Sequence, residues 1–365
     1  MASRKDEKLM MECLRLAQKG GSAVSPNPCV GAVIVHKGRV IGTGYHRKFG
    51  EAHAEVNAIR DALKRHSTIK NATLYVNLEP CVHHGKTPPC VDAIVKQGIS
   101  KVVAAMQDPN PLVAGKGFAA LRAAGIEVVV GVLKREATII NERFVKYITT
   151  GMPFVAIKAA QTRDGFIARK DGSSRWITSK QARRMTHVLR AEYDSVLVGA
   201  GTAMADDPRL TVRHVKGRNP YRILVDGRLR TSLTAHLFND QHRGRTIVFA
   251  GGGNLKKMRP LRKKGVDFIV KKTKSGLIPV QEILRELAKR KIASVLVEGG
   301  GAMYRQFLRS RSVDKIYLFI SDKKFGDGIA GIKAGHGFRR LRRQKRSMIG
   351  PDLLIEGYPV YSSAV

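Results

Sequence analysis

Apolar residues along this chain recur in helical and in strand-like rhythms, and each change of rhythm predicts a change of element. Leu9, Met10, Cys13, Leu14 and Ala17 fall at helical spacing and predict a helix over 5–19. Ser25-Pro26-Asn27-Pro28 breaks it, and the apolar run 30–35 reads as a buried strand. Lys37-Gly38 turns the chain back into a second strand over 40–45, as a hairpin. The pattern then predicts a helix over 53–65, a buried strand over 72–78 and a short helix over 90–97 that follows Pro88-Pro89. Strand 101–106, helix 116–124, strand 127–132 and helix 135–147 complete a first α/β alternation. Thr149-Thr150-Gly151-Met152-Pro153 punctuates the pattern, so domains of 1–150 and 151–365 are expected.

A second alternation follows. It reads as strand 154–160, helix 180–192, and strands 195–198, 221–225, 246–250 and 266–270. Helix 280–290, strand 293–297, helix 302–308 and strand 315–320 come next. No internal repeat relates the halves, and low complexity is confined to the basic run 339–346. A length of 365 residues suits two domains, and 43% hydrophobic with 26% charged residues is a soluble globular composition. No apolar run approaches the ~20 residues of a membrane span, so no membrane partner is expected. The first residues lack the apolar core of a secretory signal, and four cysteines give no disulfide framework. A cytoplasmic location is the expectation.

Charge changes this picture. The net charge is +37, with 22 basic against 12 acidic residues up to position 150 and 44 against 17 beyond it. Lys271-Lys272-Thr273-Lys274 and the run from Arg339 to Arg346 are the densest parts. Such a surface suits phosphorylated small molecules by steering, nucleic acid by counterion release, or no ligand at all. A homo-oligomer is left open by the sequence.

The candidate chemistry lies in His53-Ala54-Glu55, Glu79-Pro80-Cys81 and Pro89-Cys90. One imidazole and two thiols are a ligand set that Zn²⁺ prefers, and three protein ligands leave a fourth position open for water. Zinc lowers the pKa of such a water to ~7. Glu55 can then carry a proton from the attacking water to a leaving amine. This is the logic of a zinc deaminase, whose signature is H-x-E followed by P-C-x-x-C. Here eight residues, Val-His-His-Gly-Lys-Thr-Pro-Pro, separate Cys81 from Cys90. His53 and Glu55 also cannot share a face of a regular helix, so they must converge at a helix start. A closed structural zinc site of Cys81, His83, His84 and Cys90 is the alternative, and it leaves His-Ala-Glu unexplained. Cys13 and Cys29 read as small buried hydrophobes.

In the second half, Glu298-Gly299-Gly300-Gly301-Ala302 follows a strand and opens a helix, where backbone N–H groups can approach a phosphate. It is not a G-x-G-x-x-G fingerprint, and alone a tight turn explains it equally well. Ser173-Ser174-Arg175-Trp176, Asp206-Asp207-Pro208-Arg209 and Leu210-Thr211-Val212-Arg213 fall in expected loops at element ends, where ligands of open α/β sheets collect.

With these residues in view, the chain resembles the bifunctional deaminase–reductases of bacterial riboflavin biosynthesis. The resemblance rests on Pro26 to Val33, Gly50 to Val56, Leu78 to Cys90 and Gln107 to Pro111. In the second half it rests on Asp164-Gly165, Ser174 to Ser179, Asp206 to Thr211 and Glu298-Gly299-Gly300. It implies an N-terminal cytidine-deaminase-like α/β/α domain and a C-terminal dihydrofolate-reductase-like α/β domain. It further implies hydrolytic deamination of a diaminopyrimidinone carrying a phosphoribosylamino group, then NADPH-dependent reduction of the ribosyl chain to ribityl. Carried over by position, one zinc falls to His53, Cys81 and Cys90, and proton transfer to Glu55. Asn27, His46 and Lys86 match deaminase substrate positions, and Ser174, Arg190, Leu210, Arg213 and Glu298 match reductase substrate positions. Ala160, Trp176, Thr202, Asp206, Gly300, Gly301, Ala302, Met303, Tyr304, Arg305 and Gln306 match NADPH positions.

The chain departs from the family pattern at Thr162-Arg163-Asp164-Gly165-Phe166 and at Gly227, where a Ser or Thr is usual. These departures permit a deaminase with an impaired reductase as an alternative. A nucleic-acid base deaminase is favoured by charge alone. Aromatic content is 6%, which offers few stacking platforms, and the charge sits mainly in the half without the zinc motif.

Overall fold

A computed structural model describes residues 3–361 apart from Arg175, Gly253, Asn254, Lys272, Lys274, Ala334 and His336. Arg175 of the loop motif and Lys272 and Lys274 of the basic run therefore lie outside the described residues. The chain divides into two compact units, Met1–Met152 and Pro153–Val365.

The first unit runs α1 (Arg4–Gln18), β1 (Gly31–His36), β2 (Arg39–Tyr45), α2 (Ala54–Leu63), β3 (Thr73–Val76), α3 (Cys90–Lys96), β4 (Lys101–Ala104), α4 (Lys116–Ala123), β5 (Glu127–Val130), α5 (Lys134–Ile140) and α6 (Glu142–Thr150). Its sheet has the order β2-β1-β3-β4-β5, with β1 antiparallel to β2 and β3 and the rest parallel. Ser3 starts α1 through a reciprocal capping box with Asp6. Helices cover both faces. A Cβ on Gly31 would meet Cys13 O of α1 at 2.1 Å. Cβ atoms on Gly42 and Gly44, on the other face, would meet Ala58 O and Ala58 N of α2 at 2.5 and 2.3 Å. Cys13 and Cys29 are buried, as small hydrophobes are.

One helix expected over 135–147 is two, broken at Asn141. Periodicity alone does not show the reason. Asn141 is buried, its Oδ1 accepts from Cys29 N (2.8 Å), and its Nδ2 donates to Cys29 O (3.0 Å). Breaking the helix there ties down the Pro26–Cys29 loop. Gly151, in the left-handed conformation at φ 66°, ends α6 and the unit.

The second unit runs β6 (Phe154–Gln161), β7 (Phe166–Ala168), α7 (Lys180–Glu192), β8 (Ser195–Gly199), α8 (Ala200–Asp206), β9 (Tyr221–Val225), α9 (His236–Asn239), β10 (Thr246–Ala250), α10 (Met258–Lys263), β11 (Asp267–Val270), α11 (Val280–Lys289), β12 (Ser294–Gly299), α12 (Gly301–Arg309), β13 (Lys315–Ile320), β14 (Ile329–Ala330), β15 (Arg340–Ile349) and β16 (Asp352–Val360). Its large sheet has the order β11-β10-β9-β8-β12-β6-β13-β16-β15. The strands from β11 to β13 are parallel, and β16 and β15 add an antiparallel end. The short helices α8, α9 and α10 and the pairs β7–β14 and β15–β16 were not legible from periodicity. The basic run is an ordered edge strand, where exposed cations discourage pairing with another chain.

Asn141→Ala leaves the N–H of Cys29 without its partner, while Cys29 O keeps the hydrogen bond donated by Asn77 Nδ2 (3.0 Å). A buried backbone group so orphaned costs ~1–3 kcal/mol. Urea unfolding should show this variant destabilised by roughly 1–3 kcal/mol. An exposed control, Lys64→Ala, should change little.

Candidate active sites

In the first unit, three chain segments converge at one end of the sheet. His53 is the N-cap of α2 (φ −72°, ψ 167°), so its ring stands at the helix rim while Glu55 enters the first turn. Cys90 is the first residue of α3, and Cys81 lies in the loop after β3. The ligand atoms of His53, Cys81 and Cys90 all lie within 4.8 Å of one another. His53 Nδ1 is 3.2 Å from Cys90 Sγ and 3.5 Å from Cys81 Sγ. Tetrahedral zinc with ordinary Zn–N and Zn–S bonds sets N and S ~3.6 Å apart, so the donor set fits the ion. His53 Nε2 faces Thr87 Oγ1 at 3.5 Å, the outer partner that orients a ligating imidazole. Hydrogen bonding from Cys90 and from His53 lowers the Cys81 thiol well below its ordinary value, against its burial. That same bond with Cys81, and burial, raise the Cys90 thiol. His83, also in this loop, is exposed and lines the cavity beside the three, and His84 is exposed.

A cavity of about 290 Å³ opens over these residues. Glu55 is 3% exposed on its floor, and its Oε2 has no hydrogen-bond partner. Burial raises its carboxyl above the ordinary value. Asn27, His46 and Lys86 line the same cavity. His46 is buried, its Nδ1 is 3.2 Å from Ala52 O, and its Nε2 is 3.3 Å from Asn27 Nδ2. A carbonyl needs a donor and an amide N–H₂ needs an acceptor. Both are satisfied by neutral imidazole protonated at Nδ1. Lys86 Nζ lies 4.4 Å over the Phe49 ring. Sequence reasoning gave Glu79 no role beyond its place in the motif. It is buried, and its carboxylate accepts from Asp108 N (3.1 Å), Gly115 N (2.9 Å) and Phe118 N (3.1 Å). It thereby fixes the loop that carries Cys81.

In the second unit, a cleft of about 670 Å³ opens beside the C-terminal ends of β8 and β12. A bulge at the end of β12 interrupts its register with β8 and brings Glu298 to the cleft. Arg190 of α7 binds it twice, Nε to Oε1 at 2.6 Å and Nη2 to Oε2 at 2.7 Å, and both side chains are largely buried. Burial alone would raise the Glu298 carboxyl, but Arg190 and Lys158 outweigh it and hold the value below ordinary. Ser174, Trp176, Thr202, Asp206, Leu210 and Arg213 line this cleft. So do Lys158 and His187, which the sequence reading missed. Each sits on a regular element with no motif around it.

A groove of about 810 Å³ adjoins the cleft, sharing Thr202 with it. Gly300, Ala302, Met303, Arg305 and Gln306 line the groove, and Gly301 opens α12 beneath it. A Cβ on Gly299 or Gly300 would come 2.9 Å from Thr202 Oγ1, so bare backbone forms this wall. Glycine backbone beside a helix N-terminus fits a dinucleotide pyrophosphate. Tyr304 is buried instead, its hydroxyl donating to Lys158 O (2.8 Å), and Ala160 stays within β6 beside Phe319. The departing turn at 162–166 is closed by Asp164, which bonds Thr162 Oγ1 and accepts from Phe325 N (2.9 Å) and Gly326 N (2.8 Å).

Two α/β units, one with a His–Cys–Cys centre over a buried glutamate and one with a glycine-walled groove at a helix N-terminus, fit a two-domain deaminase–reductase. Residues 3–106 match the cytidine and deoxycytidylate deaminase zinc-binding region, and residues 153–355 match the RibD C-terminal domain. The riboflavin biosynthesis protein RibD of Aquifex aeolicus is 43% identical over 96% of this chain and 97% of its own. That of Escherichia coli is 37% identical over 96% and 98%. A diaminohydroxyphosphoribosylaminopyrimidine deaminase/5-amino-6-(5-phosphoribosylamino)uracil reductase of known structure from Thermotoga maritima aligns with a TM-score of 0.85, at 39% identity, over 97% of this chain and 99% of that one. The chain belongs to the RibD family of bifunctional riboflavin-biosynthesis enzymes, which join a zinc-dependent deaminase to an NADPH-using reductase. Among the described residues, no helix is long and apolar enough to cross a membrane.

His187 supplies a pH prediction. Its Nδ1 accepts from Arg213 N at 3.2 Å, so the ring is neutral, with its proton on Nε2. Burial, then Arg190, Arg213 and His214, lower its pKa from 6.5 to about 4. The unfolded chain takes up this proton first, so the stability contributed is whole above pH ~6.5 and is lost as pH falls toward 4. The thermal midpoint should drop across that window. His187→Asn, whose Oδ1 can accept the same N–H but does not titrate, should drop less.

Proposed function

We propose that this chain deaminates 2,5-diamino-6-(5-phosphoribosylamino)pyrimidin-4(3H)-one and then reduces the ribosyl chain of the resulting 5-amino-6-(5-phosphoribosylamino)uracil to ribityl. The first step belongs to residues 1–150 and the second to residues 151–365. The observation that carries the reading is the convergence of His53, Cys81 and Cys90 above a buried, unpartnered Glu55 Oε2. The similarity to the Thermotoga maritima deaminase/5-amino-6-(5-phosphoribosylamino)uracil reductase supports both substrates.

His53 Nδ1, Cys81 Sγ and Cys90 Sγ would hold zinc, which would supply the Lewis acidity that makes water a nucleophile at neutral pH. Glu55 would take a proton from the attacking water as it adds to the amine-bearing ring carbon. It would return the proton to the nitrogen, which leaves as ammonia. Asn27 and His46 present a fixed amide to the pyrimidine, and Lys86, at the cavity mouth, meets the phosphate. In the second domain the groove from Thr202 to Gln306 would hold NADPH, which would supply the hydride. Glu298, fixed by Arg190, accepts hydrogen bonds from the opened sugar, and Lys158 donates beside it. Arg213, buttressed by Thr211 Oγ1 at 2.8 Å, takes the phosphate, and Ser174 and Leu210 border the same space. A reducing cytoplasm suits a chain whose thiols serve as metal ligands.

Glu55→Gln should retain zinc while ammonia release falls by ~10²–10⁴-fold, and it should still oxidise NADPH when given the deaminated substrate. Glu298→Ala should show the reverse, full ammonia release without NADPH oxidation. Loss of zinc in Glu55→Gln would make that residue a ligand and contradict the mechanism.

A further inference from the structure

The groove beside the reductase cleft has a direction, set by what must happen at each point along it. Hydride transfer needs the nicotinamide against the substrate, so that end lies at Thr202, which borders both cavities. The middle lies at Gly300 and the start of α12. There Arg305 Nη1 is 3.2 Å from where a Gly301 Cβ would stand, beside free backbone N–H groups. The remaining end, lined by the residues after β9 and by the 275–278 segment, is left for the adenosine ribose.

Dinucleotide sites of α/β sheets tell NAD from NADP at this end. A carboxylate takes the 2′-hydroxyl, or an arginine takes the 2′-phosphate. The carboxylate that follows β9 is Asp226. It is 1% exposed, and its Oδ2 accepts from Thr231 N (2.8 Å) and Thr231 Oγ1 (2.7 Å). It does not reach the groove, and no described residue lining the groove is acidic. Arg228 and Arg230 do line it, and both are exposed.

The glycine at 227 belongs to the same arrangement. A Cβ there would stand 1.8 Å from Gly276 O, so no side-chain hydroxyl can be offered from that position. Gly276 occupies the space, and Arg228 lies across it. A Cβ on Gly276 would come 2.9 Å from Arg228 Cγ, and Arg228 Nη2 donates to Ser275 O at 3.2 Å. The guanidinium is held by one N–H and has others to give.

We propose that Arg228 and Arg230 bind the 2′-phosphate of NADPH and set the preference of this enzyme for NADPH over NADH. The proposal rests on the reading of the groove as the cofactor site. A side chain at 227 is excluded by Gly276 O, and the two arginines that follow take the phosphate.

The test is calorimetric binding to the zinc-loaded full chain, without substrate. The probes are NADPH, NADH, adenosine 2′,5′-bisphosphate and ADP. Wild type should bind NADPH at least ~100-fold more tightly than NADH. In Arg228→Ala/Arg230→Ala, NADPH and the bisphosphate should each weaken by ~10–100-fold. NADH, ADP, thermal midpoint and ammonia release should stay as in wild type. A double variant that keeps the wild-type NADPH/NADH ratio overturns the proposal. So does an Arg309→Ala variant that alone abolishes the ratio, since Arg309 is another arginine on the groove wall. Wild type that binds neither dinucleotide overturns the reading of the groove itself, and the proposal with it.

Discussion

The position of α2 on β2 is the constraint on which the first site depends. Ala54, Ala58 and Ala62 recur every fourth residue along one face of α2 and are fully buried. Gly42 and Gly44 alternate on the facing side of β2, where any Cβ would collide with the α2 backbone. Helix and strand therefore meet backbone to backbone. Polar bonds cross the same seam, with Asn57 Nδ2 donating to Tyr45 O (2.9 Å) and Thr43 N to Asp61 Oδ2 (3.0 Å). A helix so fixed has its first turn fixed too. That turn carries His53 and Glu55, whose roles tolerate displacements of only a few tenths of an ångström.

The second unit achieves convergence differently. Its cleft collects the ends of parallel strands, the usual ligand edge of an open α/β sheet, and a bulge brings Glu298 to that edge. The Arg190–Glu298 pair is mostly buried, so its desolvation offsets much of its Coulombic gain. Its value lies in position. Arg190 Nη1 also donates to Thr211 O (3.1 Å), and His187, one turn earlier on α7, accepts from Arg213 N. One helix thus aims the carboxylate and steadies the loop that carries Arg213.

Much of this was legible in the chain because the zinc motif is compact in sequence and glycine and proline punctuate the elements. The residues missed share a physical reason. Asn141 acts on Cys29 at a separation of 112 residues, and Glu79 acts on backbone 29 to 39 residues away. No local pattern encodes such contacts. Lys158 sits in a strand that reads as apolar core, and nothing nearby marks it as facing a cleft. The basic run hid a strand because an edge is solvated along one side, so charge on neighbouring positions erases the alternation that marks half-buried strands. The departure at Gly227, isolated in sequence, becomes intelligible once Gly276 is seen to occupy its space.

The central claim is that one nitrogen and two sulfurs from three segments hold a single catalytic zinc, with Glu55 outside the coordination shell. X-ray absorption at the zinc edge, on protein purified with its metal, tests it most directly. The account predicts one zinc per chain with two sulfur neighbours near ~2.3 Å and nitrogen or oxygen at ~2.0–2.1 Å in the remaining positions. The Cys81→Ala variant should contain little or no zinc. A shell with no sulfur, a shell of four sulfurs, or a zinc content unchanged by Cys81→Ala would contradict the account.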